Sequence, residues 1–116
     1  MALLTPVVMP AEPTAFAIES DAGFRLAADG DTFVNDGRTG VYIKNTTGSS
    51  KTVTVVAPRK CNNGFNHSAA VVVPTGFAGF IATELEPGRF NNDQGVVALT
   101  YSATGAGLSV AAVRLP

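Results

Sequence analysis

The sequence predicts an all-β protein, a single antiparallel β-sandwich or small jelly-roll-like barrel with an extended N-terminal arm. Short runs that alternate apolar and polar residues recur along the chain, and Gly, Asn, Asp and Pro separate them at close intervals. Together these signals indicate about seven to nine short strands and no convincing helix. A length of 116 residues is enough for one domain. We assign residues 1–14 to the arm and residues 15–116 to the sandwich.

Proline spacing makes the first 14 residues read as an arm. Pro6, Pro10 and Pro13 remove backbone donors, which excludes a helix and any central strand. Five apolar residues nevertheless occur here: Leu3, Leu4, Val7, Val8 and Met9. An extended apolar terminus suits an arm laid across a neighbouring subunit. The alternative is a first strand at the edge of its own domain, and we adopt the arm as the working prediction.

The next segments predict the strands of the body. Residues 15–28 favour a strand, a turn at 20–23 and a second strand, although Phe16 and Phe24 also fit a helical spacing that Gly23 disfavours. After an Asn35-Asp36-Gly37 turn, residues 40–45 and 51–58 predict a β-hairpin. Val41 and Ile43 share one face of its first strand, Val53, Val55 and Ala57 share one face of its second, and one face of the hairpin is expected to meet the core.

The C-terminal half continues the same pattern. Residues 59–68 are rich in Asn and Gly and predict a loop, and Glu86-Pro87-Gly88 predicts a turn. Four further strands are predicted, over residues 69–74, 77–83, 96–102 and 108–115. In the second of these, Phe77 and Phe80 are expected in or near the core, and Val97, Leu99 and Tyr101 share one face of the third.

Composition limits the partners of the chain. Charged residues make up 15%, the net charge is −1, and the Lys and Arg residues are scattered, so we expect no nucleic-acid partner. No apolar run approaches the roughly 20 residues of a membrane span, and the N-terminus lacks the features of a signal peptide. A surface with so few charges indicates either burial in an assembly or a Thr-rich sandwich, and both interpretations stay open.

No combination of residues predicts an active site, a metal site or a cofactor. Cys61 and His67 share one loop, but neither further zinc ligands nor a group to orient a catalytic histidine accompanies them. Asp29, Asp31 and Asp36 raise the question of calcium, yet their spacing fits no EF-hand, and Asp beside Gly more often forms turns. Glu84 and Glu86 are loop residues beside a Pro-Gly turn rather than a paired acid and base. We therefore expect a protein that is not an enzyme.

Several motifs together resemble a known group of proteins. They are the run from Gly30 to Thr39, Lys44-Asn45, the strand Thr52 to Val55, the segment Val73 to Gly76, the turn before Phe90-Asn91, the run from Gly95 to Ser102, and Val110 to Val113. This pattern, across most of residues 28–114, resembles small structural proteins of tailed-bacteriophage virions, of the minor capsid or capsid decoration type. The residues before 28 depart from it.

The resemblance implies a function and a location. It implies a decoration or cement protein on the exterior of the virion capsid, made in the host cytoplasm, whose partner is the phage major capsid protein. It also implies a homo-oligomer, taken here as a trimer. Candidate contact residues are those of the arm, Leu3, Leu4, Val7, Val8 and Met9, and those of the 59–68 loop, Lys60, Asn62, Asn63, Phe65 and His67. The alternatives are a head–tail connector or tail component and, from another class, a carbohydrate-binding β-sandwich with Tyr42 exposed for host attachment.

Overall fold

The computed structural model describes residues 3–58, 68–104 and 106–116, and over this part of the chain it shows an all-β sandwich, as predicted. Nine strands occur there: β1 (Val7–Val8), β2 (Arg25–Leu26), β3 (Thr32–Val34), β4 (Thr39–Asn45), β5 (Lys51–Val55), β6 (Ala69–Val73), β7 (Ala78–Ala82), β8 (Val96–Tyr101) and β9 (Leu108–Arg114). A 3-10 helical turn, Ile18–Ser20, and one turn of α-helix, α1 (Pro87–Phe90), complete the described elements. The Glu86-Pro87-Gly88 turn is therefore part of a short helix.

The strands form two sheets with the connectivity of a jelly roll. One sheet has the order β1-β9-β4-β7, with β2 also paired to β9, and the other has the order β3-β8-β5-β6. The antiparallel pairs β2·β9, β3·β8, β4·β7 and β5·β6 form one long ribbon folded at β5 and β6. Rolling this ribbon brings β4 beside β9 and β5 beside β8. This double-sheet wrapping defines the jelly roll.

The predicted hairpin of residues 40–45 and 51–58 is wrong. β4 lies in the five-stranded sheet and β5 in the four-stranded sheet, so residues 46–50 cross between layers instead of turning within one. Asn45 fixes this crossing, because its amide donates to the carbonyls of Ser49 (3.1 Å) and Val73 (2.9 Å). Its Oδ1 accepts hydrogen bonds from the backbone N–H and the hydroxyl of Thr47. One buried side chain thus holds the start of the crossing against the end of β6.

The core lies between the two sheets and uses the faces that the alternation predicts. Val53, Val55 and Ala57 are buried from one sheet, and Val41 and Ile43 from the other. Val97 and Leu99 join them, with Tyr101 packed at the margin of the core. Burial of these apolar faces supplies the main driving force for closing the sandwich.

One aromatic residue of β7 is placed differently from the prediction. Phe77 packs against the core as expected, but Phe80 is 39% exposed. Successive side chains of a strand point to opposite faces, and Ile81 occupies the inward position beside it. Phe80 therefore lies on the outer face, where its ring meets that of Tyr42 edge to face.

The extended N-terminal arm is not confirmed. Val7–Val8 forms β1, which pairs in parallel with β9 of the same domain, and Leu4 and Val7 are buried there. The backbone N–H of Leu4 also donates to the carbonyl of Thr32 at 2.7 Å. Pro6 and Pro10 flank β1 and confine it to two residues at the edge, where a missing donor is tolerated. The structure thus matches the alternative of an edge strand on its own domain.

Part of the chain between β1 and β2 covers the outer face of the five-stranded sheet. Met9, Ile18 and Phe24 pack against a second cluster whose buried members are Val7, Ala111 and Val113. The first strand predicted within residues 15–28 is absent from this described segment, because Ile18–Ser20 is a 3-10 turn. The predicted turn is present, with Asp21 accepting the N–H of Gly23 at 2.9 Å, and the second strand is limited to β2.

Candidate interaction surface

The predicted contact residues of the N-terminus divide into two groups. Leu4 is 2% exposed and Val7 is fully buried, so both serve the domain's own packing and neither is available to a partner. Leu3 and Val8 are 62% and 57% exposed. Met9 is partly buried in the cluster on the outer face of the sheet. Of the five residues, only Leu3 and Val8 present most of their side chains to solvent.

The predicted contacts in the loop lie outside the described residues. Lys60, Asn62, Asn63, Phe65 and His67 all belong to residues 59–67, which the structure does not describe, and the same holds for Cys61. Their assignment stays a prediction.

Most of the exposed large apolar side chains in the described chain lie on one side of the sandwich. This N-terminal side consists of β1, β2, β3 and the residue after β9. Its apolar side chains, between 36% and 62% exposed, are Leu3, Val8, Leu26, Val34 and Leu115. A parallel bridge between Leu3 and Thr32 joins the N-terminal segment to β3 across the two sheets. Exposed apolar side chains on one side of a domain are a feature of protein-contact surfaces.

Aromatic and charged side chains meet on the outer face of the five-stranded sheet. The ring of Tyr42 lies between Phe24 and Phe80, in edge-to-face contacts of 6.1 and 5.5 Å between centroids. Glu19 accepts hydrogen bonds from the Tyr42 hydroxyl (3.0 Å) and the Lys44 ammonium. The hydrogen bond from Lys44, and then that from Tyr42, lowers the pKa of Glu19, whereas burial and Glu19 raise the pKa of Tyr42. Tyr42 is half-buried, with its hydroxyl bonded to Glu19 and its ring against two phenylalanines, so it is less open than the exposed tyrosine that the carbohydrate alternative assumes.

A carboxylate and a phenol pair at the margin of the core. Asp31 is fully buried, and its Oδ2 accepts hydrogen bonds from the Tyr101 hydroxyl (2.7 Å) and the Ala28 N–H (3.0 Å). Its Oδ1 has no hydrogen-bond partner within the described part of the chain. Burial first, and then the hydrogen bond to Asp31, raises the pKa of Tyr101 well above its ordinary value. The pair ties the segment before β3 to the end of β8.

The three aspartates considered for calcium have separate surroundings. Asp31 bonds to Tyr101 in the interior, and Asp36 accepts the N–H of Arg38 (3.0 Å) and pairs with Arg114 (2.9 Å). The backbone hydrogen bond from Arg38 is the main cause of a lowered Asp36 pKa. Asp29 is exposed. Within the described ranges no group of three acidic, His or Cys side chains is placed to hold a metal ion. Asp31 and Asp36 each accept the N–H of a residue two or three positions away, as the turn interpretation expects.

Two buried amides form a connection that the sequence did not reveal. Asn35 donates to the carbonyl of Leu85 (3.0 Å) and to Oδ1 of Asn91 (2.8 Å), and Asn91 donates to the carbonyl of Asn35 (2.8 Å). The pair joins the turn after β3 to the end of α1. The predicted Asn35-Asp36-Gly37 turn is present, with Gly37 at a φ of 91°. Asn residues in such motifs are common in solvated turns, so their burial became visible only in the fold.

Comparisons of the chain with protein-family models, with curated proteins and with solved structures found no match. Across the residues that the structure describes, there is no helix with the length and apolarity needed to span a membrane.

Proposed function

We propose that the chain is a non-enzymatic structural protein of a tailed-phage virion, a decoration protein that binds the exterior of the capsid and stabilises the shell of the major capsid protein. The observation that carries the proposal is a jelly-roll body with exposed apolar side chains grouped on its N-terminal side. Jelly rolls serve as viral capsid and lectin domains. A fold alone does not determine function, so the surface has to supply the argument.

The composition of the surface supports a role as a contact protein. With 15% charged residues and a net charge of −1, the chain experiences little charge repulsion when it contacts another protein. Leu3 and Val8 are the anchors that the structure leaves available, and Leu26, Val34 and Leu115 extend the same side. Full burial of such side chains contributes roughly 1.5–3 kcal/mol each, so a few of them suffice for a specific contact.

Stabilisation of the shell follows from mass action. A protein that binds only the assembled shell stabilises it by RT ln(1 + [L]/Kd), and many copies act on one particle at once. Cementing therefore needs no catalytic group. The residues Lys60, Asn62, Asn63, Phe65 and His67 stay candidate contacts on the sequence alone, because they lie outside the described residues.

The test compares particles with and without the protein. Particles that lack it should rupture at lower temperature, and added wild-type protein should restore the rupture temperature. A double variant, Leu3→Ser with Val8→Ser, should bind poorly, whereas Val56→Ser on the outer face of the four-stranded sheet should bind normally. Equal rupture temperatures with and without the protein would refute the proposal.

A particle reconstruction separates the remaining alternatives. A decoration protein occupies hundreds of positions on the shell, whereas a connector or tail component forms a ring of about a dozen copies or fewer. Binding to host glycans in place of the shell would indicate an attachment protein. Either result would replace the proposed function.

A further inference from the structure

In the part of the chain that the structure describes, both sheets end in an unpaired strand on the same side of the sandwich. Among the described strands, β6 pairs only with β5, and β7 pairs only with β4. Residues 74–77 join β6 directly to β7, so the two edges lie one above the other in the two layers. This edge side, defined as β6 and β7, is opposite the N-terminal side.

The register identifies the backbone groups that β6 leaves free. Ser102 N–H donates to the carbonyl of Thr52, so the even-numbered residues of β5 direct their hydrogen bonds to β8 and the odd-numbered ones to β6. The register pairs odd-numbered residues of β5 with odd-numbered residues of β6. The N–H and C=O groups of Ala70 and Val72 therefore point away from the sheet. Both side chains are also exposed.

The same reasoning applies to β7. The N–H of Asn45 donates to the carbonyl of Phe77 at 2.8 Å. Gly79 lies opposite Ile43, and because Ile43 is two residues before Asn45 in β4, the backbone groups of Ile43 also point toward β7. The carbonyl of Phe77 and the backbone groups of Gly79 therefore face β4, whereas the N–H of Phe77 donates to the carbonyl of Pro74 at 3.1 Å. Ala78 and Phe80 direct their backbone groups outward. With respect to residues 3–58, 68–104 and 106–116, each layer thus presents two residues whose backbone donors and acceptors have no partner.

The two sides of the sandwich differ in how their edges are protected. The N-terminal side has strands of only two or three residues, prolines on either side of β1, and a hydrogen bond from Leu4 to Thr32 over the edge of β3. The edge side has two strands of five residues, Ala69–Val73 and Ala78–Ala82, with neither a charge nor a proline in them. Proteins usually protect such edges with Lys, Pro or short strands, because an open edge is a template for another strand.

We propose that the edge side pairs with the edge side of a second copy of this chain. A two-fold axis perpendicular to the sheets places β6 against β6 and β7 against β7, antiparallel in both layers, so both sandwiches become continuous. Self-pairing brings identical residues together, which a charged edge would prevent by repulsion. The uncharged sequences of β6 and β7 are compatible with it. The resulting closed dimer differs from the trimer that the resemblance implies, and it stands independently of the proposed function.

The first test measures the oligomeric state of the full chain by sedimentation equilibrium. We expect a dimer for the wild type and a monomer for Val72→Lys, because each copy then brings a positive charge to the shared edge and the two charges repel. The matched control is Val34→Lys, an exposed valine of edge strand β3 whose side chain is 54% exposed against 66% for Val72. This control should remain a dimer.

A proline pair tests the hydrogen bonds separately from charge. Val72→Pro removes an outward N–H that edge strands can spare without unfolding, and Val34→Pro does the same on the opposite side. We expect at least about a tenfold rise in the dimer dissociation constant for Val72→Pro, because both copies lose a hydrogen bond, and no change for Val34→Pro. Circular dichroism of each variant confirms that the sheets are intact.

Amide hydrogen exchange gives the most specific readout. In the concentrated wild type, the outward amides of Ala70, Val72, Ala78 and Phe80 should be protected, and dilution below the dissociation constant should release all four together. A wild type that stays monomeric, an oligomer other than a dimer, or a dimer that survives both Val72 variants would overturn the proposal. Protection of these amides only after a different protein is added would likewise overturn it, because the occupant would then be a foreign strand.

Discussion

Raising the pH should destabilise the folded chain through Tyr101. Burial and the hydrogen bond to Asp31 raise the pKa of this phenol above its ordinary value of 10.0. Above about pH 10 the unfolded chain loses the Tyr101 proton while the folded chain keeps it. The corresponding stability is therefore complete below pH 10 and is lost as the pH rises, at about 1.4 kcal/mol per pH unit. Tyr42 has a raised pKa and acts in the same direction, so the variant Tyr42→Phe isolates Tyr101.

The composition makes this prediction easy to measure. The chain has two tyrosines and no tryptophan, so near-ultraviolet tyrosinate absorbance in Tyr42→Phe reports Tyr101 alone. We expect tyrosinate to appear only together with the loss of the strand signal in circular dichroism. Reversible ionisation near pH 10 in a protein with intact strands would refute the assignment of Tyr101 to a buried hydrogen bond.

The variant Tyr101→Phe supplies the matched energetic control. It keeps the ring and removes the hydroxyl, so Oδ2 of Asp31 retains only the N–H of Ala28. Leaving a buried acceptor without one of its hydrogen bonds costs roughly 1–3 kcal/mol, and each kcal/mol lowers the melting temperature by about 4 °C in a domain of this size. The variant should therefore melt lower at neutral pH. Above about pH 10 its free energy of unfolding should also fall less steeply than that of the wild type, because the Tyr101 hydroxyl is no longer present to ionise.

Three further changes test the packing of the fold. Asn45→Ala removes four hydrogen bonds at the crossing between the sheets and should cost about 3 kcal/mol or more in urea denaturation, and a loss below 1 kcal/mol would show that the crossing does not depend on this side chain. Gly40→Ala places a Cβ 2.3 Å from a backbone carbonyl of β7 and should lower the melting temperature strongly, whereas Gly48→Ala, which meets nothing within 4 Å, should be nearly neutral. Glu19→Gln should make the free energy of unfolding depend less on pH in acid. The lowered pKa of Glu19 gives stability that is present above about pH 4.5 and is lost as the pH falls. A variant whose stability falls in acid just as that of the wild type does would contradict the pairing of Glu19 with Lys44.

Alternation along single strands predicted the buried side chains of β4, β5 and β8, although not those of β7, where Phe80 faces outward. Val53 and Val55 face the core as the period of two requires, and so do Val41 and Ile43. These predictions depend only on local geometry, because each strand of a sandwich has one face toward the core whichever strand lies beside it. For the same reason the all-β class was predictable without knowing any pairing.

Strand partners were not predictable in the same way. Residues 46–50 have the composition of a hairpin loop, and only the side chain of Asn45, bonded to Val73 far along the chain, shows that they cross between layers. In a rolled ribbon the partner of a strand is set by contacts distant in sequence, as with β4 and β9. Local turn signals therefore identified where strands end but not which strands they connect.

The same limit explains the N-terminal contact residues. Leu3, Leu4, Val7 and Val8 are all apolar, and nothing in their order distinguishes the buried pair from the exposed pair until β9 lies alongside. The choice between an arm and an edge strand likewise depended on a free edge at β9, which no local pattern displays. The sequence likewise did not predict that β6 and β7 have open edges, because that depends on which strands pair.

The two proposals assign different sides of the sandwich and together specify a mechanism for cementing. Pairing through β6 and β7 uses the side opposite Leu3 and Val8, so a two-fold dimer directs its two N-terminal sides away from each other. Such a dimer can contact two neighbouring capsid subunits at once. The second contact then forms at a high effective concentration, so moderate affinity at each N-terminal side suffices to hold adjacent subunits together. Val72→Lys should accordingly weaken the stabilisation of particles even though Val72 lies far from the proposed shell contact, and Val34→Lys should weaken it without changing the oligomeric state.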